Sequence, residues 1–404
     1  MLRLSDIEAA RERLKDQLVL TPCTPSDAFA DLVQSHVWFK FENLQRTGSF
    51  KERGALNRML LLPESERPRG VIAASAGNHA QGVAYHAGRL GIAATIVMPE
   101  RTPLIKVSNT ESFGARVVRY GAGYDDAMRE ALRIQVEEGQ TLIHPFDDRE
   151  IIAGQGTIGL ELLEQCPDAD VVVVPVGGGG LIAGVACAMK EKRPAIRVIG
   201  VEAERLPAAL RAREAGHPVT LAPGETIADG IRVQRIGDLT YPLIERYVDD
   251  LVTVSEEEIA RAVLLLLERE KTVTEPAAAT TLAAVVGGRI AGVEGKNVVM
   301  LLSGGNIDVN LLSRIIDRGL INDGRMAELE VRVQDRPGSL AALTSLIAAQ
   351  DANVLRLDHR RGAPGLGITE AEIDVTLETR GRAQVAELIR ALQNEGFRVK
   401  QSGS

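Results

Sequence analysis

Apolar runs and helical stretches alternate along the first three quarters of the chain. "GVIAASAGNHAQGVAYHAGRLG" predicts a buried strand, a glycine turn and a helix. "AATIVMPE" and "ARVVRYG" predict two short apolar strands, and "ADVVVVPVGGGGLIAGVACAMKEKRP" again a strand, a glycine loop and a helix. "IRVIGVEAE" and "KNVVMLLSGGNID" add two more strands. Continuous apolar strands separated by helices imply parallel sheets covered on both faces. "SEEEIARAVLLLLERE" opens with Ser255 and Glu258 three residues apart, a capping box that starts a helix. Residues to about 320 thus read as a doubly wound α/β body.

The pattern then changes. "RGLINDGRM", 318 to 326, is polar with two glycines and reads as a linker. Beyond it "MAELEVRVQ" alternates as a half-buried strand, "DRPG" turns, and "SLAALTSLIAAQ" has helical period. "NVLRLDHR" and "GITEAEIDVTLET" are strands, "RAQVAELIRALQNEG" is an amphipathic helix, and "FRVKQ" is a last strand. The order βαββαβ is the ferredoxin-like plan, and a separate domain of this size is ordinary.

Composition narrows the function classes. The chain has 404 residues, enough for two or three domains, and 45% hydrophobic and 25% charged residues, as soluble globular proteins have. A net charge of -8 argues against nucleic acid as a partner. Cys23, Cys166 and Cys187 are odd in number and far apart, so they make neither a disulfide framework nor a spaced metal site, and a reducing cytoplasm is expected. "MLRLSDIEAARERL" is charged and helical rather than a signal peptide, and no run approaches the length of a membrane span.

Two features call for chemistry. In "PVGGGGLIAG", Gly177, Gly178, Gly179 and Gly180 stand between a strand and a helix. Backbone N–H groups there can converge on an anion, helped by the helix dipole, at the sheet edge where open α/β folds bind ligands. Neither the Walker A lysine nor the dinucleotide spacing follows, so a phosphate without a nucleotide is expected; the alternative is a tight turn. In "FENLQRTGSFKERGALN", Lys51 sits behind a crowded Gly-Ser-Phe turn that a solvent lysine does not need.

"SFKERGALN", "SAGNHAQGVA", "PVGGGGLIAG" and "LLSGGN", in this order, resemble the threonine dehydratase (threonine ammonia-lyase) family of pyridoxal phosphate (PLP) fold type II, over residues 5 to 320. The last domain resembles an ACT domain, an amino-acid-sensing module. The resemblance implies a catalytic domain at 1–320, with a small subdomain at about 50–150 inserted in a large one, and an ACT regulatory domain at 321–404. It implies PLP as cofactor, an amino acid as substrate and another as effector, and a homodimer or homotetramer. It makes Lys51 the residue that bonds to the cofactor aldehyde and then serves as base at the substrate Cα. Phe50 lies against the ring, Gly177 to Gly180 and Leu181 hold the phosphate, and Ser303 faces the pyridine nitrogen. Ser75, Ala76, Gly77, Asn78 and His79 line the substrate carboxylate, and Asn78 also meets the ring hydroxyl; capping of a helix is the plainer role for Asn78 and His79.

The resemblance also sets alternatives. Serine racemases carry a second serine where this chain has Ala76, so racemisation is disfavoured and dehydration of threonine and serine kept. Related racemases hold a divalent cation near the match of Glu202, so Glu202 is a candidate ligand for a monovalent or divalent ion; an acidic residue at a strand end is the plainer reading. In the ACT domain, Asp335, Gly338 and Asn353 match the effector-gripping positions, and Asp335 stands where Asn is frequent. A serine dehydratase, a hydroxyaspartate lyase and a non-catalytic amino-acid sensor stay open, as does the choice between isoleucine biosynthesis and catabolism.

Overall fold

The computed structural model describes residues 2–362 and 365–401. It divides into two compact units, Met1–Ile307 and Asp308–Ser404. In the first, a six-stranded sheet runs in the order Cys23–Pro25, His36–Phe41, Asn297–Leu302, Val171–Pro175, Arg197–Ala203, Asp250–Val254. All pairings are parallel except that of the first edge strand. A second, all-parallel sheet of four runs Arg116–Arg119, Ala94–Met98, Val71–Ala74, Thr141–Leu142. Its strands fall in sequence between His36–Phe41 and Val171–Pro175 of the large sheet. The central strands Val171–Pro175 and Ala94–Met98 are buried at every position, as helices on both faces require.

The expected capping box forms: the Ser255 hydroxyl accepts from the Glu258 N–H, and the Glu258 carboxylate accepts from the Ser255 N–H at 2.7 Å. The helix it starts, Glu256–Leu265, ends in a π turn, Leu266–Glu270.

The second unit has a four-stranded antiparallel sheet in the order Asn353–Arg361, Glu370–Glu378, Met326–Gln334, Arg398–Gln401, with helices Ser339–Ala349 and Arg382–Asn394. This is the βαββαβ order read from the sequence. The segment 318–326 departs from the expected linker. Helix Val309–Asn322 runs into it, and only Asp323, Gly324 and Arg325 turn before the first strand. The cause is spacing: Leu311, Leu312, Ile315, Ile316 and Leu320 recur at three- and four-residue steps and cover one face, with Ile315 buried. The helix belongs to the second unit, so the division lies at 307/308, ahead of the 320/321 boundary read from the sequence.

Candidate active site

Between the two sheets of the first unit lies a cleft of about 1020 Å³. It lies at the carboxyl ends of strands Val71–Ala74 and Val171–Pro175, where parallel sheets place their loops and the N-termini of the following helices. Every cofactor and substrate position expected from the sequence lines it: Phe50 and Lys51, Ser75 through His79, Gly177 through Leu181, and Ser303.

Lys51 is the first residue of helix Lys51–Leu60, and three contacts set its position. The turn before it is stitched to "SGG" at the end of strand Asn297–Leu302: Phe50 N–H donates to the Ser303 carbonyl at 3.0 Å, and Gly305 N–H to the Gly48 carbonyl at 2.9 Å. The Glu52 carboxylate, fully buried, accepts the Thr47 N–H and faces His86 Nε2 at 3.1 Å. Arg53, also buried, bonds Glu42 at 2.7 and 2.8 Å and Glu161 at 2.5 and 2.9 Å, while Lys40 meets Glu161 at 2.5 Å. This four-charge network joins the helix to helix Arg149–Gln165. The charged residues after Lys51 are therefore an anchor beneath it. Lys51 Nζ donates to the Pro145 carbonyl at 2.8 Å. Burial pushes its amine down from 10.5 to about 8, against an opposing pull from Glu275.

The glycine loop leads into helix Gly180–Lys192. Gly179 has φ +92, a conformation L side chains avoid. A Cβ on Gly178 would stand 2.3 Å from the Phe146 ring. Close approach and backbone geometry thus both call for glycine here. The geometry fits a tight turn, and the same loop ends in a helix N-terminus that lines the cleft, as an anion cradle would require.

The "SAGNH" strip opens helix Asn78–Leu90. The Ser75 hydroxyl accepts from the Gly77 N–H at 3.2 Å. His79 is buried; its Nε2 donates to the Ile143 carbonyl at 2.8 Å, and burial pushes the imidazole down to about 3. The ring is thus neutral with its one N–H committed, and the donor His79 can still offer a ligand is its main-chain N–H. Its N–H, in the first helical turn, lacks an intrahelical partner.

A profile for pyridoxal-phosphate dependent enzymes matches residues 14–304, and one for the ACT domain matches residues 327–396. The chain belongs to the pyridoxal-phosphate dependent enzyme family. It is 47% identical over 400 residues to the L-threonine ammonia-lyase of Thermotoga maritima, covering 99% of each chain. It is 43% identical over 313 residues to the catabolic L-threonine dehydratase of Escherichia coli K12, covering 77% of this chain and 95% of the relative. Among solved structures, the processed threonine deaminase isoform 2 of Solanum lycopersicum superposes with TM-score 0.74 at 36% identity, over 78% of this chain and 91% of that one. The serine racemase of Dictyostelium discoideum gives 0.72 at 36%, over 76% and 99%.

The cleft fits the family's cofactor. The glycine loop and helix N-terminus offer N–H groups that would suit a phosphate, Lys51 an amine of lowered pKa that would suit an aldehyde, and Ser303, 2% exposed, a neutral hydroxyl that would suit a ring nitrogen. Among the lining residues that the sequence did not single out are Gln155, Glu275 and Asn306. Glu275 precedes Pro276 at a helix start and resembles an ordinary cap; Asn306 closes "SGGN" but carries no motif of its own.

Glu202 is not among the residues that line the cleft. It is 1% exposed, and its two oxygens accept from the N–H groups of Ala209, at 2.7 Å, and Leu210, at 2.8 Å, at the start of helix Ala208–Ala215. Burial pushes it up to about 7. No group of three or more His, Cys, Asp or Glu able to hold a metal occurs among the described residues. In the ACT domain, Asp335 is clamped by Arg361 at 2.8 and 3.1 Å, which holds its carboxyl below the usual range, and Asn353 donates to Glu378 at 3.2 Å. Gly338, at φ +91, caps helix Ser339–Ala349 with open space around it. Among the described residues, no helix is long and apolar enough to cross a membrane.

Proposed function

We propose that the chain is a PLP-dependent L-threonine ammonia-lyase that also accepts L-serine, regulated by an amino acid through its ACT domain. The observation that carries this is the Lys51 amine, lowered to about 8, in one cleft with the glycine loop and the N-terminal N–H groups of helix Asn78–Leu90. The full-length relative named L-threonine ammonia-lyase supports the substrate. Bound PLP supplies an electron sink for the carbanion at the substrate Cα. Lys51 anchors the cofactor and takes the Cα proton. Gly177 to Gly180 and Leu181 hold the phosphate, and Phe50 covers the ring. The main chain of Ser75 to His79 binds the substrate carboxylate. The Ser303 hydroxyl leaves the ring nitrogen unprotonated, which favours elimination over transamination. Loss of the β-hydroxyl gives an enamine; its imine is hydrolysed to 2-oxobutanoate and ammonia, or to pyruvate from serine.

Ala76 supplies no proton donor on the opposite face, which separates this chain from racemase chemistry. Asp335, Gly338 and Asn353 form the effector site in an assembly of two or four copies, in a cytoplasmic enzyme. The test is a screen of β-hydroxy amino acids for oxo-acid release. Turnover of threonine and serine is expected; absence of oxo acid from both would overturn the reading.

A further inference from the structure

Glu275 is the N-cap residue of helix Pro276–Val286, yet its side chain makes no cap. A capping carboxylate normally accepts N–H groups of its own first turn. This one turns away and accepts from Asn78 Nδ2 with both oxygens, at 2.9 and 2.8 Å, across 197 residues. Glu275 is 3% exposed, and its own N–H donates to the Gly304 carbonyl at 3.0 Å. Two backbones make room for the carboxylate: a Cβ on Gly304 would stand 2.6 Å from Oε1, and one on Gly230 3.2 Å.

The other edge of Asn78 is also taken. Its Oδ1 accepts from Asn306 Nδ2 at 2.8 Å, and Asn306 Nδ2 donates to the Thr47 carbonyl at 2.8 Å. A carbonyl only accepts, so the nitrogen of Asn306 faces Thr47 and Asn78 together. The oxygen of Asn78 must then face Asn306, and its nitrogen Glu275. The amide plane has one allowed orientation, fixed from both sides.

We propose that Glu275 is a positioning residue: it acts through Asn78, holding the amide in the single orientation that meets the ring hydroxyl of the cofactor. The proposal rests on the assignment of Asn78 as a cofactor contact. The charged groups acting on Glu275 are Lys51, Lys106 and Asp229, and burial pushes its carboxyl up to about 7. A buried acid with one polar partner is costly to keep unless that partner needs it.

The test is a double-mutant cycle with Glu275→Ala, Glu275→Gln, Asn78→Ala and the double alanine variant. PLP affinity is read by reconstituting apoprotein, the bound cofactor's visible spectrum is followed from about pH 6 to 9, and kcat and KM are measured. Glu275→Ala is expected to weaken PLP binding and lower kcat by roughly 10–100-fold, taking as a guide the range for residues that orient a metal's ligands. The spectrum should shift and KM change little. Glu275→Gln, which keeps one acceptor, should recover part of each effect and carries the same cycle if the alanine variant does not fold. Because Glu275 works through Asn78, the double variant should be no worse than Asn78→Ala alone. Additive losses, or a Glu275 variant with wild-type affinity and spectrum, would overturn the inference. If Asn78→Ala itself leaves affinity and spectrum unchanged, the assignment of Asn78 fails, and the inference falls with it.

Discussion

Lys51 Nζ donates to the main-chain carbonyl of Pro145 at 2.8 Å, a bond from the first turn of one helix to a loop 94 residues on. It aims the amine into the cleft without spending a side-chain acceptor on it. Lys51→Ala should therefore leave the fold intact and lower kcat by at least roughly 10³-fold, since the variant loses both the anchor and the base. Oxo-acid release by purified protein, beside its far-ultraviolet circular dichroism, checks this.

The lowered pKa of that amine gives a pH prediction. Only the neutral amine attacks an aldehyde, and burial moves its pKa from 10.5 to about 8. The rate at which apoprotein captures PLP should rise with pH through about 8 and level off above it. An unperturbed lysine would keep gaining rate toward 10.5. Stopped-flow absorbance across the range distinguishes the two curves.

Ala76 lines the cleft between Ser75 and Gly77 and offers no proton. Wild type should form little D-serine from L-serine. Ala76→Ser should form measurably more, because a hydroxyl there would supply a second proton donor in the cleft. Chiral chromatography of both reactions decides; equal D-serine from the two proteins would reject the role.

Arg53 is 1% exposed and holds two carboxylates, Glu42 and Glu161. Arg53→Ala leaves Glu161 with Lys40, and Glu42 with only the neutral side chains of Thr21 and Gln45, and should lower stability by about 3–5 kcal/mol. Urea unfolding measures it. Arg53→Lys should recover little, because an ammonium cannot bond two carboxylates in a plane.

Catalytic matches all precede Ile307. A chain ended after Ile307, the end of the first compact unit, should keep lyase activity and lose its response to free amino acids. Isoleucine, valine and serine are the effectors to try. The Asp335–Arg361 pair gives a finer variant: Arg361→Ala frees the carboxylate and should change the effector concentration needed, with basal turnover unchanged. A truncated chain that still responds would put the effector site in the catalytic unit.

Much was legible in the sequence because it is local. Strand-glycine-helix units, the Ser255–Glu258 capping box and the βαββαβ order all follow from side chains within a turn or two of each other. So does the singling out of Lys51 and the glycine loop, whereas Ser303 came from the resemblance of "LLSGGN" to the family. Even the misread segment at 318–326 had its signal in the spacing of Leu312, Ile315 and Leu320, masked by two glycines and polar residues.

Tertiary structure decided which distant groups meet. Parallel pairing sets Asn297–Leu302 beside His36–Phe41, residue for residue from Asn297 against His36 to Leu302 against Phe41. That register carries the following "SGGN" loop to the Gly-Ser-Phe turn and Asn306 to Asn78. The same packing turns Glu275 from a cap into the partner of Asn78, and takes both oxygens of Glu202 for a helix end. A carboxylate's role depends on which donors reach it once it is buried. For Glu275 the donor comes from a helix 197 residues away, and for Glu202 from the first turn of the next helix, and periodicity along the chain holds no trace of either meeting.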